Sequence, residues 1–151
     1  MAFEIEHKYL VDNDSYLKLQ TEVYHITQGY LSRNPERTVR IRTVDSKGFI
    51  TIKGITNGDK RHEFEYEIPF VDANEMLKLC VPPVIEKYRH IVPYEGKVWE
   101  VDEFKGDLNS VVIAEIELKS SDELYALPPF VGKNITGDVR YYNSQLHKLK
   151  P

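Results

Sequence analysis

Along most of this chain apolar and polar residues alternate one by one, the period with which an extended strand presents its two faces. The clearest run is Glu4-Ile5-Glu6-His7-Lys8-Tyr9-Leu10-Val11, which puts Glu4, Glu6 and Lys8 on one side and Ile5, His7 and Tyr9 on the other. Similar alternation predicts further strands over 25–33, 38–44, 49–54, 62–68, 85–91, 98–104 and 112–118. The links between them are mostly short and carry turn residues, as in Asn34-Pro35, Asn57-Gly58 and Glu95-Gly96. Helical patterns are confined to brief stretches. One covers 16–20 behind Asp14-Ser15, and a second covers 72–80, opened by Asp72 and Glu75 at capping-box spacing and ended by Pro82-Pro83. A third starts at Ser121 and stops at Pro128-Pro129, and a closing helix over 138–150 aligns Tyr142, Leu146 and Leu149.

Eight strands joined by short turns predict an antiparallel meander, and eight strands suffice to close a barrel around side chains or one small ligand. The expected fold is therefore mainly β (α+β). It is a closed eight-stranded antiparallel β-barrel with short covering helices and a C-terminal helix. A length of 151 residues suits a single domain, 1–151, with a real core.

The charged faces of the strands are sorted by sign. Acids come as Glu4-x-Glu6, Glu65-x-Glu67, Glu100-x-Asp102 and Glu115-x-Glu117, and bases as Lys8, Arg40-x-Arg42, Lys53 and Lys87-x-Arg89. The opposite faces carry Ile5, Tyr9, Ile41, Ile52, Phe64, Tyr66, Trp99, Val101, Ile116 and their like, which need cover from the helices. An open sheet with its charged face in water is the competing layout, and exposed ion pairs would make it inexpensive. Rows of like charge, however, are poor neighbours on a merely solvated sheet. They are tolerable in a lumen where a ligand neutralises them. The lumen acids exceed the bases by two, so two divalent cations would reverse the sign and a triphosphate would nearly restore balance. Mg²⁺ prefers carboxylate, water and phosphate oxygens, and arginine forks grip phosphate oxygens in pairs.

Overall charge limits the partners. A net charge of −4 provides no global basic field for nucleic acid. The lone Cys80 closes no intramolecular disulfide and reads as a buried helix residue. No apolar run reaches membrane-spanning length and no signal-like segment opens the sequence, so a cytoplasmic setting is expected. The five histidines show no zinc spacing, and Trp99 falls on the apolar, outward face. A homodimer is compatible with these features.

In this order the charged strands resemble the CYTH domains, also called triphosphate tunnel metalloenzymes. The signature Glu-x-Glu-x-Lys is matched by Glu4, Glu6 and Lys8. It is followed by Arg40 and Arg42, Lys53, Glu65 and Glu67, Lys87 and Arg89, Asp102, and Glu115 and Glu117. Asp138-x-Arg140-Tyr141 is similar to the segment before that family's closing helix. The resemblance implies a tunnel that binds triphosphate and uses Mg²⁺ or Mn²⁺, with two ions expected. Members hydrolyse tripolyphosphate or thiamine triphosphate, and a few cyclise ATP. The short length is similar to that of the bacterial members, which points to an inorganic tripolyphosphatase. An adenylate cyclase, a thiamine triphosphatase and a non-catalytic polyphosphate-binding module are the alternatives.

Carried onto this sequence, the resemblance implies that Lys8, Arg40, Arg42, Lys53, Lys87, Arg89 and Arg140 hold phosphate. Glu4, Glu6, Glu67, Asp102, Glu115 and Glu117 would hold metal. Glu65, Glu67 and Asp102 would orient water for in-line attack, and Lys8 or Arg140 would serve the leaving oxygen.

Overall fold

The computed structural model describes residues 2–149. Its strands are β1 (Phe3–Val11), β2 (Glu22–Ser32), β3 (Arg37–Val44), β4 (Lys47–Gly54), β5 (Lys60–Ile68), β6 (Val81–Tyr94), β7 (Lys97–Phe104), β8 (Val112–Glu117) and β9 (Val131–Asn134). Two α-helices, α1 (Tyr16–Leu19) and α2 (Phe70–Leu77), are joined by 3-10 turns at Gly106–Leu108, Val139–Tyr141 and Leu146–Lys148. None of the described helices is long and apolar enough to cross a membrane.

The sheet runs β5-β4-β3-β2-β6-β7-β8-β1, and every pairing is antiparallel. It closes because β1 also pairs with β5 through Phe3↔His62, Glu4↔Arg61 and Ile5↔Lys60. The eight predicted strands thus form the predicted closed barrel. The additional β9 takes the rest of that edge of β1, through Tyr9↔Asn134 and Val11↔Val131.

Alternation along each strand gives the wall two faces. Outside, Tyr9, Val92, Trp99, Val101, Ala114 and Ile116 form a buried cluster with Tyr16 of α1 and with Phe130. Segment 119–130 is held over this cluster by Tyr125, whose hydroxyl meets His7 and Tyr9, each at 2.6 Å. A second outer cluster joins Ile41 to Ala73 and Cys80 on and just beyond α2. Cover is incomplete: Ile52, Phe64 and Tyr66 remain exposed on β4 and β5, so the expectation that every outward apolar residue is covered does not hold.

Inside, the wall changes character along its length. Leu10, Ile85, Phe104 and Ile113 pack with Leu108, Ile135 and Leu146 into an apolar floor at one end. The charged strands line the remainder.

Helix boundaries depart from the expected ones for local reasons. Helix α2 starts at Phe70, capped by the backbone of Pro69, so Asp72 lies in its first turn instead of capping it. The early start seats Ala73 against Gly48, where an added Cβ would meet the Ala73 Cβ at 2.6 Å and leave no room for a larger residue. Pro82-Pro83 does not precede a strand but lies within β6, in the stretch where its pairing with β2 shifts register. A shifted ladder tolerates residues without an N–H.

No helix follows Ser121. Its hydroxyl is given to Asp59, and Glu123 accepts the Lys119 N–H while pairing with Lys97. The closing helix over 138–150 is replaced by two 3-10 turns with an extended residue, Tyr142, between them. Arg33 holds that stretch by donating to the carbonyls of Ser144, Val81 and Pro83. Lys150, the last residue of the expected helix, lies outside the described residues.

Candidate active site

The charged inner wall surrounds a cavity of about 240 Å³. Strand β1 contributes Glu4, Glu6 and Lys8, β3 contributes Arg40 and Arg42, and β4 contributes Lys53. Glu65 comes from β5, Lys87 and Arg89 from β6, and Glu115 and Glu117 from β8. Strand parity alone therefore brought eleven of the fourteen predicted side chains to one cavity.

The other three lie elsewhere. Asp102 shares the inward parity but is fully buried beneath the lining. It accepts Lys87 Nζ at 2.7 Å and takes Arg89 in a fork at 2.8 and 2.9 Å. Glu67 is exposed, beyond the lining and opposite Phe49 in the register. Arg140 is exposed and folded onto Asp138 at 2.7 Å, because Asp138 caps the 3-10 turn that carries it.

The cavity also has members that were not among the predicted site residues. Glu100, one of the inward acids of the sequence pattern, lines it together with Glu63, which shares the inward parity, and with Arg61. Arg61 continues the parity of Glu63 and Glu65 toward the start of β5, a signal that was available in the sequence. Tyr30 turns inward and is almost wholly buried. Tyr142, Asn143 and Ser144 arrive from the irregular C-terminal segment, where no periodic pattern could have announced them.

Opposite charges meet across strands. Lys53 bridges Glu4 at 3.1 Å and Glu63 at 3.3 Å. Arg42 donates to Glu65 at 3.0 Å, and Thr51 donates to the same carboxylate oxygen at 2.8 Å. Arg89 also reaches Glu100 at 3.3 Å. The ring of Tyr142 is approached by two cations, with Lys8 Nζ at 5.7 Å and the Arg61 guanidinium at 5.6 Å from its centroid. These contacts hold the long side chains in place before any ligand arrives.

The pairing is uneven, and proton affinities follow it. Burial, with Glu6 next to it, pushes the Glu115 carboxyl above the ordinary glutamate value, and Lys8 offsets this only in part. Burial likewise raises Glu4 against the pull of Lys53, raises Glu100 against that of Arg89, and raises Glu117, which also faces Glu4 and Glu100. Burial opposes the charge on Lys8, but Glu115, Glu6 and Glu4 overcome it and hold the ammonium well above the usual lysine range.

On the other wall, burial and the nearby Arg40 and Arg89 lower Arg42 to about 10. Burial also works against ionisation of Asp102, yet Arg89 and Lys87 keep it well below the usual carboxylate range. Arg89 takes the larger share of that carboxylate. Lys87, wholly buried and beside the same guanidinium, is lowered to about 8. The cavity thus has a wall with too little positive charge and a wall with too much.

That polarity suits a cation bound to an anion. Among the described residues, no three His, Cys, Asp or Glu side chains stand together as a ready-made metal site. The donors nevertheless fit a hard divalent ion. They are all carboxylate oxygens, several crowd one another, and such an ion takes only one or two of them when phosphate and water fill its remaining positions.

A model of the CYTH domain matches residues 2–145. The chain belongs to the CYTH domain family. An inorganic triphosphatase of Acetivibrio thermocellus is 46% identical over 149 residues, spanning 98% of this chain and 95% of that protein. An inorganic triphosphatase of Nitrosomonas europaea is 30% identical over 148 residues, 95% of each. A solved structure of an inorganic triphosphatase superimposes with a TM-score of 0.67 and 28% identity, over 97% of this chain and 95% of that one. The CYTH match spans every strand of the barrel and ends just past the C-terminal residues that line the cavity.

Proposed function

We propose that this protein is a metal-dependent inorganic triphosphatase, which binds tripolyphosphate within the barrel and hydrolyses a terminal phosphoanhydride. The observation that carries this reading is the convergence of Lys8, Arg40, Arg42, Lys53 and Arg89 with rows of glutamate in one cavity. Cations alone would suit any anion. Cations facing surplus carboxylates suit an anion that arrives with divalent metal. The two relatives named as inorganic triphosphatases support the same substrate.

In this reading Arg40, Arg42, Lys53 and Arg89 bind non-bridging phosphate oxygens, the two arginines on β3 as forks. Glu4, Glu6, Glu115 and Glu117 would hold Mg²⁺ or Mn²⁺, one or two of these carboxylates to each ion. Bound metal would neutralise the phosphate oxygens and lower the pKa of a coordinated water. Lys8, kept protonated by Glu115 and Glu6, donates to the oxygen that leaves. Glu65 holds Arg40 and Arg42 in position. Asp102 acts through Lys87 and Arg89 as a positioning residue, while Glu67 and Arg140 stand outside the reaction. Positioning and charge neutralisation supply most of the rate in such chemistry. The chain acts as a single domain.

The test is phosphate release from tripolyphosphate, ATP and thiamine triphosphate, with Mg²⁺, with Mn²⁺ and with chelator. Preferential, metal-dependent release from tripolyphosphate is expected. Pyrophosphate release from ATP would replace this reading with a cyclase. Thermal stabilisation by tripolyphosphate without turnover would replace it with a binding module.

A further inference from the structure

In the stretch between the last two 3-10 turns, Asn143 is the side chain that meets the buried polar groups of the inner wall. Its Oδ1 lies 2.8 Å from Lys87 Nζ and 2.8 Å from Gln28 Nε2. An ammonium offers only donors, so the contact with Lys87 identifies that atom as the carboxamide oxygen. Lys87 is in turn held by Asp102 at 2.7 Å, and Gln28 is fully buried, so neither donor is free to move away. A planar amide whose oxygen is fixed on one side has its NH₂ fixed on the other. That NH₂ meets no acceptor among the described residues, nor is it one of the side-chain atoms sealed in without a partner. Asn143 lines the cavity, and this NH₂ is the one uncommitted polar group of its side chain.

We propose that the Asn143 amide donates a hydrogen bond to a non-bridging phosphate oxygen of the bound triphosphate, which makes the C-terminal segment part of the substrate site. The inference rests on the triphosphatase reading above. It adds a donor of a different kind from the surrounding bases. The amide is neutral, so it keeps its proton at any working pH. It is short and doubly anchored, so it can serve only an oxygen at one position. Arginine and lysine attract the whole chain; Asn143 would set its register.

Two variants test it. Asn143→Asp keeps an acceptor for Lys87 and Gln28 and removes the donor, at nearly unchanged volume. Asn143→Ala removes the donor without adding charge or a hydroxyl that could replace it. With tripolyphosphate and Mg²⁺, KM is expected to rise on the order of tenfold or more in both, the scale of one hydrogen bond to a charged group. Tm without substrate should change little in Asn143→Asp. A wild-type KM in either folded variant, with or without a lower Tm, would overturn the proposal and leave Asn143 as a structural tie only. If the wild-type protein neither hydrolyses tripolyphosphate nor is stabilised by it, the triphosphatase reading fails and this inference fails with it.

Discussion

At the scale of single residues, parity and placement separate side chains that the sequence treats alike. Arg40 and Arg140 both read as phosphate ligands, but Arg40 is buried in the cavity wall beside Thr51 and Glu65, whereas Arg140 is exposed and paired with Asp138. Arg40→Ala is therefore expected to lower kcat/KM for tripolyphosphate about 100-fold, the upper range for one lost charged hydrogen bond. Arg140→Ala is expected to leave it within about twofold, since exposed ion pairs contribute little. Steady-state kinetics on both variants check the pair, and the reverse ranking would sink the assignment of the inner wall. The eleven cavity residues found by alternation were legible because strand geometry is local: two residues of spacing decide a face. Asp102 satisfied the same rule. Its depth beneath Lys87 and Arg89 depends on neighbouring strands, which no single-strand pattern contains.

At the scale of elements, β1 to β8 and the places of α1 and α2 were predictable, whereas β9 and the fate of the two later helical patterns were not. Each strand's alternation expresses its own two environments, so β1 to β8 were evident. The α-helical signals at Ser121 and over 138–150 were genuine local preferences overridden by tertiary contacts. Ser121 binds Asp59, and Arg33 holds the carbonyl of Ser144 while Gln145 donates to the carbonyl of Arg33. The unwound C-terminal segment also closes the barrel, since Leu146 is fully buried in the apolar floor with Phe104 and Ile113. Leu146→Ala is expected to cost about 2–5 kcal/mol in urea unfolding. Because Asn143 hangs from the same segment, the variant should also bind tripolyphosphate more weakly at temperatures where it is still folded. An unchanged unfolding midpoint would show that the floor holds without this anchor.

At the scale of the whole molecule, the cavity stores electrostatic cost that a ligand would release. Glu4, Glu100, Glu115 and Glu117 all have pKa values raised above 4.5, with burial the first cause in each. A group whose pKa is raised on folding stabilises the folded state below its unfolded value, and that stability is lost as pH climbs through the folded value. The metal-free protein should therefore lose Tm as pH rises from about 4.5 into the weakly acid range. Glu65 and Asp102 are shifted the opposite way, so stability should fall again at lower pH as they take up protons. Millimolar Mg²⁺ should raise Tm mainly at the upper end of this range, where the carboxylates are ionised. Thermal melts across pH, with Mg²⁺ and with chelator, read both effects. A Tm independent of metal throughout would argue against cation binding by these glutamates.

The closure of the barrel has a kinetic consequence. Strands β2 to β7 mostly pair with near neighbours in sequence, but β1 meets β5 at only three positions and otherwise waits for β8 and β9. Contacts across such long stretches of chain are slow to form, because the closure entropy is lost before the contacts compensate for it. The β6–β7 hairpin is therefore expected to form early and β1 to dock late. In a denaturant-dependent rate series, Val92→Ala should slow folding, while Leu10→Ala should chiefly speed unfolding. On this route Glu4, Glu6 and Lys8, the first site residues to leave the ribosome, are the last to reach the site.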